Sequence, residues 1–214
     1  MIDVVHEINA FSRQVGARTL DAGEARTITV TRSYPAELED VWDAITSPER
    51  IPRWFLPVSG DLREGGRFAL EGNASGAIER CEAPTAFAAT WEYGGMTSWI
   101  EVTLTAEGAD RTRLELVHIA QVDDAIWDQY GPGATGVGWD LGLLGLALYL
   151  DSGSSFDHDD AEAWAVSEEG REFATRSSER WGEASVAAGT DRAAADAAAA
   201  RTTAFYTGAE APAG

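Results

Sequence analysis

Apolar and polar positions change rhythm several times along the chain, and each rhythm predicts an element. The densest apolar run, residues 134–151 (ATGVGWDLGLLGLALYLD), reads as an α-helix. Trp139, Leu143, Leu146 and Leu150 share one helical face. Val137, Leu141, Leu144 and Leu148 repeat that spacing two residues earlier, and two steps of ~100° carry them to nearly the opposite side. A helix apolar on opposed sides is buried on both. Between Val137 and Leu150 the only charge is Asp140. About fourteen residues rise ~21 Å, short of the ~30 Å of a bilayer's hydrocarbon core. The stretch is therefore a core helix that needs two covers.

Upstream, Val4, Ile8, Phe11 and Val15 repeat at a spacing that predicts a short amphipathic helix before Gly16. Residues 26–34 (RTITVTRSY) alternate as a strand with one buried face. A helix over 37–46 turns Leu38, Val41, Trp42 and Ile45 inward, and a second short one runs from Ser47-Pro48 to Trp54-Phe55. Five strands follow at 67–71, 76–81, 86–93, 97–105 and 111–120, with hairpin-length gaps that imply antiparallel pairing. Residues 121–133 read as a loop or short helix around Trp127. After Asp151 a polar linker (152–160) leads to two alanine-rich helices, 162–189 and 190–207. The order predicts an α+β fold with the helices gathered on one face of an antiparallel sheet.

Composition narrows the classes. A formal charge of −20 argues against nucleic acid and anionic membrane as partners. All 16 cationic side chains are arginine, which excludes Schiff-base lysine chemistry and the lysine-bearing phosphate loop. The single cysteine, Cys81, forms no internal disulfide and suits a reducing compartment. The start (MIDVVHEINAF) lacks a cationic signal region, so a cytoplasmic location is expected.

Residues 40–57, DVWDAITSPERIPRWFLP, resemble the signature of the SRPBCC (START-like, helix-grip) superfamily. Within it they are most similar to homologues of the activator of the ninety-kilodalton heat-shock ATPase. The pieces are Val41-Trp42, the Ser47-Pro48-Glu49 turn, Trp54-Phe55, the Gly-Gly-Arg-Phe strand start at 65–68 and Gly138-Trp139 opening the last helix. The resemblance covers residues 26–151. It implies a curved antiparallel sheet of about six strands gripping the long helix, with a cavity between them. In such relatives the outer face of that helix is polar, whereas Val137, Leu141, Leu144 and Leu148 occupy it here. The expected organisation is an N-terminal helix and lead-in (1–25), the START-like domain (26–151) and a helical extension (152–214) packed on the same core. A homodimer contact is the rival cover.

Eight tryptophans supply the candidate site. Trp91 and Trp99 on adjacent strands, with Trp54 and Trp139 on the facing helices, would line a pocket for an apolar or planar molecule together with His118, Leu143 and Leu146. Ordinary core packing is the alternative for any one of them. His118 shares the phase of Leu114 and Leu116, so it is expected to point inward; with Tyr34 it is the first candidate for catalysis. Gly138, Gly142 and Gly145 share a helix face, and close packing of the extension is the favoured reason. The run 156–160 (FDHDD) lacks calcium-loop or zinc-helix spacing and reads as solvated linker, so no metal and no cofactor are expected. Three functions remain: a binding protein for a small apolar molecule, a cyclase- or hydrolase-like enzyme using the same cavity, or an interaction module for a chaperone partner.

The extension carries the first testable outcome. A chain ending at Asp151 should expose Val137, Leu141, Leu144 and Leu148 and aggregate, which light scattering of the truncated protein checks; a soluble, fully stable fragment would refute the assignment.

Overall fold

The computed structural model describes residues 2–153, 155 and 158–209. In chain order its elements are α1 (Val4–Asn9), β1 (Phe11–Leu20), β2 (Gly23–Tyr34), α2 (Leu38–Thr46), a 3-10 turn (Ile51–Arg53), β3 (Val58–Gly60), β4 (Arg67–Leu70), β5 (Ser75–Glu82), β6 (Ala86–Tyr93), β7 (Met96–Ala106) and β8 (Thr112–Ala120), followed by α3 (Asp124–Tyr130), α4 (Gly133–Ser152), α5 (His158–Ala165), α6 (Glu168–Ala187) and α7 (Arg192–Thr207). The strands form one sheet in the order β1-β2-β8-β7-β6-β5-β4-β3. This is the curved antiparallel sheet, long helix and added C-terminal helices of an α+β helix-grip fold. The chain divides into two compact units: unit 1 is Met1–Val30, Gln121–Leu141 and Asp159–Gly214, and unit 2 is Thr31–Ala120 and Gly142–His158.

In unit 2, β3 to β8 form a meander of antiparallel neighbours. Gly94 and Gly95 join β6 to β7 at φ 59° and 79°. A two-residue turn of this kind needs positive φ at both positions. It sets Tyr93 opposite Met96, and hence Trp91 opposite Ser98 and Ala89 opposite Ile100. The core face of β7 and β8 is aliphatic: Ile100, Val102, Leu104, Leu114 and Leu116 are all buried. On α4, Leu143, Leu144 and Leu146 are buried too. The hydroxyl of Tyr34 donates to the Leu143 carbonyl at 3.2 Å, tying β2 to that half of α4.

In unit 1 the first half of α4 carries Asp140, which is fully buried. Its Oδ2 accepts from Arg13 Nε of β1 at 2.8 Å, from Ser177 Oγ at 2.5 Å and from Trp181 Nε1 at 3.1 Å, the last two on α6. Burial pushes the Asp140 carboxyl above the ordinary carboxylate range, against the pull of Arg13, Ser177 and Trp181. Asp140 Oδ1 and Arg13 Nη2 are buried without a hydrogen-bond partner. Glycine lets α6 come this close: a Cβ on Gly136 would lie 2.3 Å from the Trp181 ring. Tyr206 of α7 donates to the Ala134 carbonyl at 2.9 Å, and a Cβ on Gly133 would meet Thr202 at 3.0 Å.

Several expectations are corrected. The N-terminal helix stops at Asn9, and Phe11 and Val15 belong to strand β1. The sheet has eight strands, β1 and β3 adding to the six expected. Residues 162–189 are not one helix, because Ser167 caps a new one by accepting from the Gly170 amide. The glycine stripe on α4 does not meet the extension throughout. A Cβ on Gly145 would lie 2.4 Å from the Trp54 carbonyl and one on Gly142 would lie 3.1 Å from the Phe55 ring; only Gly138 faces α7, 3.2 Å from the Tyr206 hydroxyl. Helix α4 has 20 residues, so length does not bar it from spanning a membrane. What marks it as a core helix is burial, including that of Asp140. Of the linker 152–160 and its FDHDD run, residues 154, 156 and 157 lie outside the described residues, and His158 already begins α5.

Asp140 and Arg13 give a direct test. Asp140→Ala leaves a buried guanidinium unpaired and should cost about 3–5 kcal/mol, and adding Arg13→Met should recover part of that loss, the Ser177 and Trp181 donors still lacking their acceptor. Urea unfolding of Asp140→Ala, Arg13→Met and the variant that combines them measures it.

Candidate functional site

Two candidates of unit 2, Trp91 and His118, meet where β4 to β8 share a core face. In the antiparallel register Phe68 faces Gly76, and Trp91 faces Ser98. His118 lies opposite Ile100, one step along the same face. The Phe68 and Trp91 rings are 6.0 Å apart, and Trp91 meets the His118 ring edge-on at 6.5 Å. Gly76 makes room for this group: a Cβ there would lie 2.8 Å from the Phe68 ring. Phe68 and Trp91 are half-buried, while His118 is buried.

The polar atoms here are linked to one another and to the backbone. Ser98 Oγ donates to the Trp91 carbonyl at 3.1 Å and sits 2.8 Å from His118 Nε2. The Ser98 hydroxyl thus joins the His118 ring to the β6 backbone, the tautomer of the ring setting which of the two donates. Burial pushes the His118 pKa down to about 4, so the ring stays neutral at physiological pH. The Tyr34 hydroxyl is bound to the Leu143 carbonyl and fully buried. Both catalytic candidates are therefore engaged by fixed protein groups, Tyr34 by the Leu143 carbonyl and His118 by the Ser98 hydroxyl.

Other candidates separate. Trp99 pairs with Thr90 and Ile119, which places it on the opposite face of the sheet from Trp91 and His118. Expecting Trp91 and Trp99 on one wall was wrong: a two-residue hairpin sets residues of opposite parity side by side, and both numbers are odd. Trp54 lies half-buried after the 3-10 turn, its indole N–H donating to the Ala44 carbonyl at 2.9 Å and its ring stacked on Phe55. Leu143 and Leu146 are buried on the unit 2 half of α4, and Trp139 is half-buried on the unit 1 half. Sequence reasoning missed Phe68, Gly76 and Ser98. The turn residues Gly94-Gly95 would have found Ser98, because they fix its position opposite Trp91.

A curved sheet gripping a long helix, with an aromatic and histidine cluster on the core face, defines a helix-grip domain. Residues 35–151, more than half of the chain, match the family described as activator of Hsp90 ATPase homolog 1-like protein, and the chain belongs to that family. It is similar to CalU16 from Micromonospora echinospora in solution: 40% identity, TM-score 0.68, covering 85% of this chain and 97% of that one. The crystal structure of CalU16 aligns at 42% identity and TM-score 0.59 over 73% of this chain and 96% of that one. A Mesorhizobium loti protein, MLL2253, shares the fold at 22% identity and TM-score 0.53, covering 59% and 97%. No curated protein matches. Coverage of 85% exceeds what residues 1–151 of the 214 can supply, so the alignment with CalU16 reaches into the helical extension.

His118 yields a pH dependence with a definite sign. Its folded pKa of about 4 lies below the 6.5 of an ordinary histidine. Between those values the unfolded chain takes up a proton that the folded chain refuses. The contribution is thus complete above 6.5 and falls away as pH drops towards 4, by up to about 3 kcal/mol. His118→Gln should flatten that part of the stability profile, measured by urea unfolding of both proteins from pH 7 to pH 4.

Proposed function

We propose that this chain binds a small apolar molecule between the core face of its sheet and helix α4, within unit 2. The observation that carries this reading is uneven burial. Ile100, Val102, Leu104, Leu114 and Leu116 are closed off, while Phe68 and Trp91 on the same face are only half-buried. Large aromatic surface beside a sealed aliphatic core, with one polar pair among it, is the usual make-up of a small-molecule site. Leu143 and Leu146 would form the helix side, and His118 with Ser98 would orient a polar group on the ligand. Trp99 has no part in it.

Binding without turnover is favoured over a cyclase- or hydrolase-like reaction. A general base works best with a pKa near the operating pH, and burial holds that of His118 down at about 4. The ligand would be met in the reducing, cytoplasmic setting that one exposed free cysteine suits.

The neutral fluorophore 1-aminoanthracene tests the reading. Saturable one-to-one enhancement is expected, weakened at least about tenfold by Trp91→Ala or by Leu143→Trp, with circular dichroism unchanged. Undiminished binding in both variants, or none in the parent protein, would overturn it.

A further inference from the structure

Unit 1 holds a cavity of its own, about 490 Å³, walled by α3, α6, α7, the corner at Gly131, Pro132 and Gly133, and Arg26 of β2. We infer that it is a second small-molecule site, for an uncharged planar aromatic molecule that carries a hydroxyl group. The volume lies within the ~300–1,000 Å³ of such sites.

Wall chemistry sets the ligand class. The large flat surface is the Trp127 indole, half-buried, with the Arg26 guanidinium 4.5 Å from its ring centre. Arg26 is held in turn by Asp124 at 2.6 Å, which keeps the stacked pair in place and cancels its charge. Asp128 adds a negative charge to the wall, and the chain carries −20 overall, so an anionic ligand is disfavoured. Across α6 and the turn into α7 the polar groups are hydroxyls. Ser178 donates to the Ala174 carbonyl at 2.8 Å, leaving its oxygen to accept. Ser185 and Thr190 lie 2.8 Å apart, so one donates to the other and the pair keeps one hydroxyl hydrogen to give. One acceptor and one donor beside an aromatic plane suit a phenol-like group, which both gives and takes a hydrogen bond. Alanines of α7 leave the space open, since any larger side chain at Ala195 or Ala198 would enter it.

The probe is 2-naphthol, titrated into the full-length protein and followed by amide chemical shifts. Saturable shifts are expected at Gly131, Gly182 and Thr190. Ala194, an exposed wall residue, can be enlarged without disturbing the core, and Ala194→Trp should abolish those shifts. Thr190→Val should weaken 2-naphthol about fivefold while leaving 2-methylnaphthalene, which lacks the hydroxyl, unaffected. Trp91→Ala should change none of this, which separates the cavity from the site in unit 2. Absence of saturable shifts at these amides, or shifts that survive Ala194→Trp, would overturn the inference.

Discussion

A carboxylate in the middle of an apolar helix is the constraint on which unit 1 depends. Asp140 is fully buried, and an isolated ionised carboxylate in such surroundings is too costly to survive folding. Its charge is met by Arg13 from one end of the chain and by Ser177 and Trp181 from the other. The same cluster explains Gly136, whose missing Cβ admits the Trp181 ring, and the burial of Arg13 on a strand that is otherwise largely exposed. Such pairs contribute little net stability, because desolvation offsets attraction, but they penalise arrangements that leave one partner alone. On this view the pair specifies where β1 and α6 must go, and apolar packing supplies the energy.

Much of the fold was legible because one rhythm dominated locally. The α4 pattern could be read because leucines on two faces leave no solvent side, and the β5–β8 strands because turn residues bracket alternating runs. Strand β1 was not legible in the same way. A spacing of four places Phe11 and Val15 on one face of a helix and equally on one face of a strand, so Phe11 and Val15 fitted both periods. The break at Ser167 depends on a side-chain cap within a run of good helix formers, which composition hides.

Site residues were legible to the extent that register was. His118 pointed inward as its phase with Leu114 and Leu116 required. Trp91 and Trp99 look equivalent in the sequence, yet Gly94 and Gly95 send them to opposite faces. The partners of Asp140 lie far from it in sequence on both sides, and no local rule connects them. Gly142 and Gly145 were recognised as sites of close approach, but the neighbour is the Trp54-Phe55 segment, because an empty position shows that something comes near without showing what.

The way unit 1 is assembled from the chain bears on its synthesis. Its three segments, Met1–Val30, Gln121–Leu141 and Asp159–Gly214, are interleaved with those of unit 2. Contacts such as Arg180 to Asn9 close loops of well over a hundred residues. A ribosome delivers Arg13 long before Asp140, and Asp140 before Ser177 and Trp181, so the cluster stays incomplete until α6 has emerged. Such long-range closure is slow, and during translation it exposes the apolar half of α4 to the crowded solution. Vectorial synthesis thus makes completion of unit 1 a late event, because its last segment follows every strand of unit 2 off the ribosome.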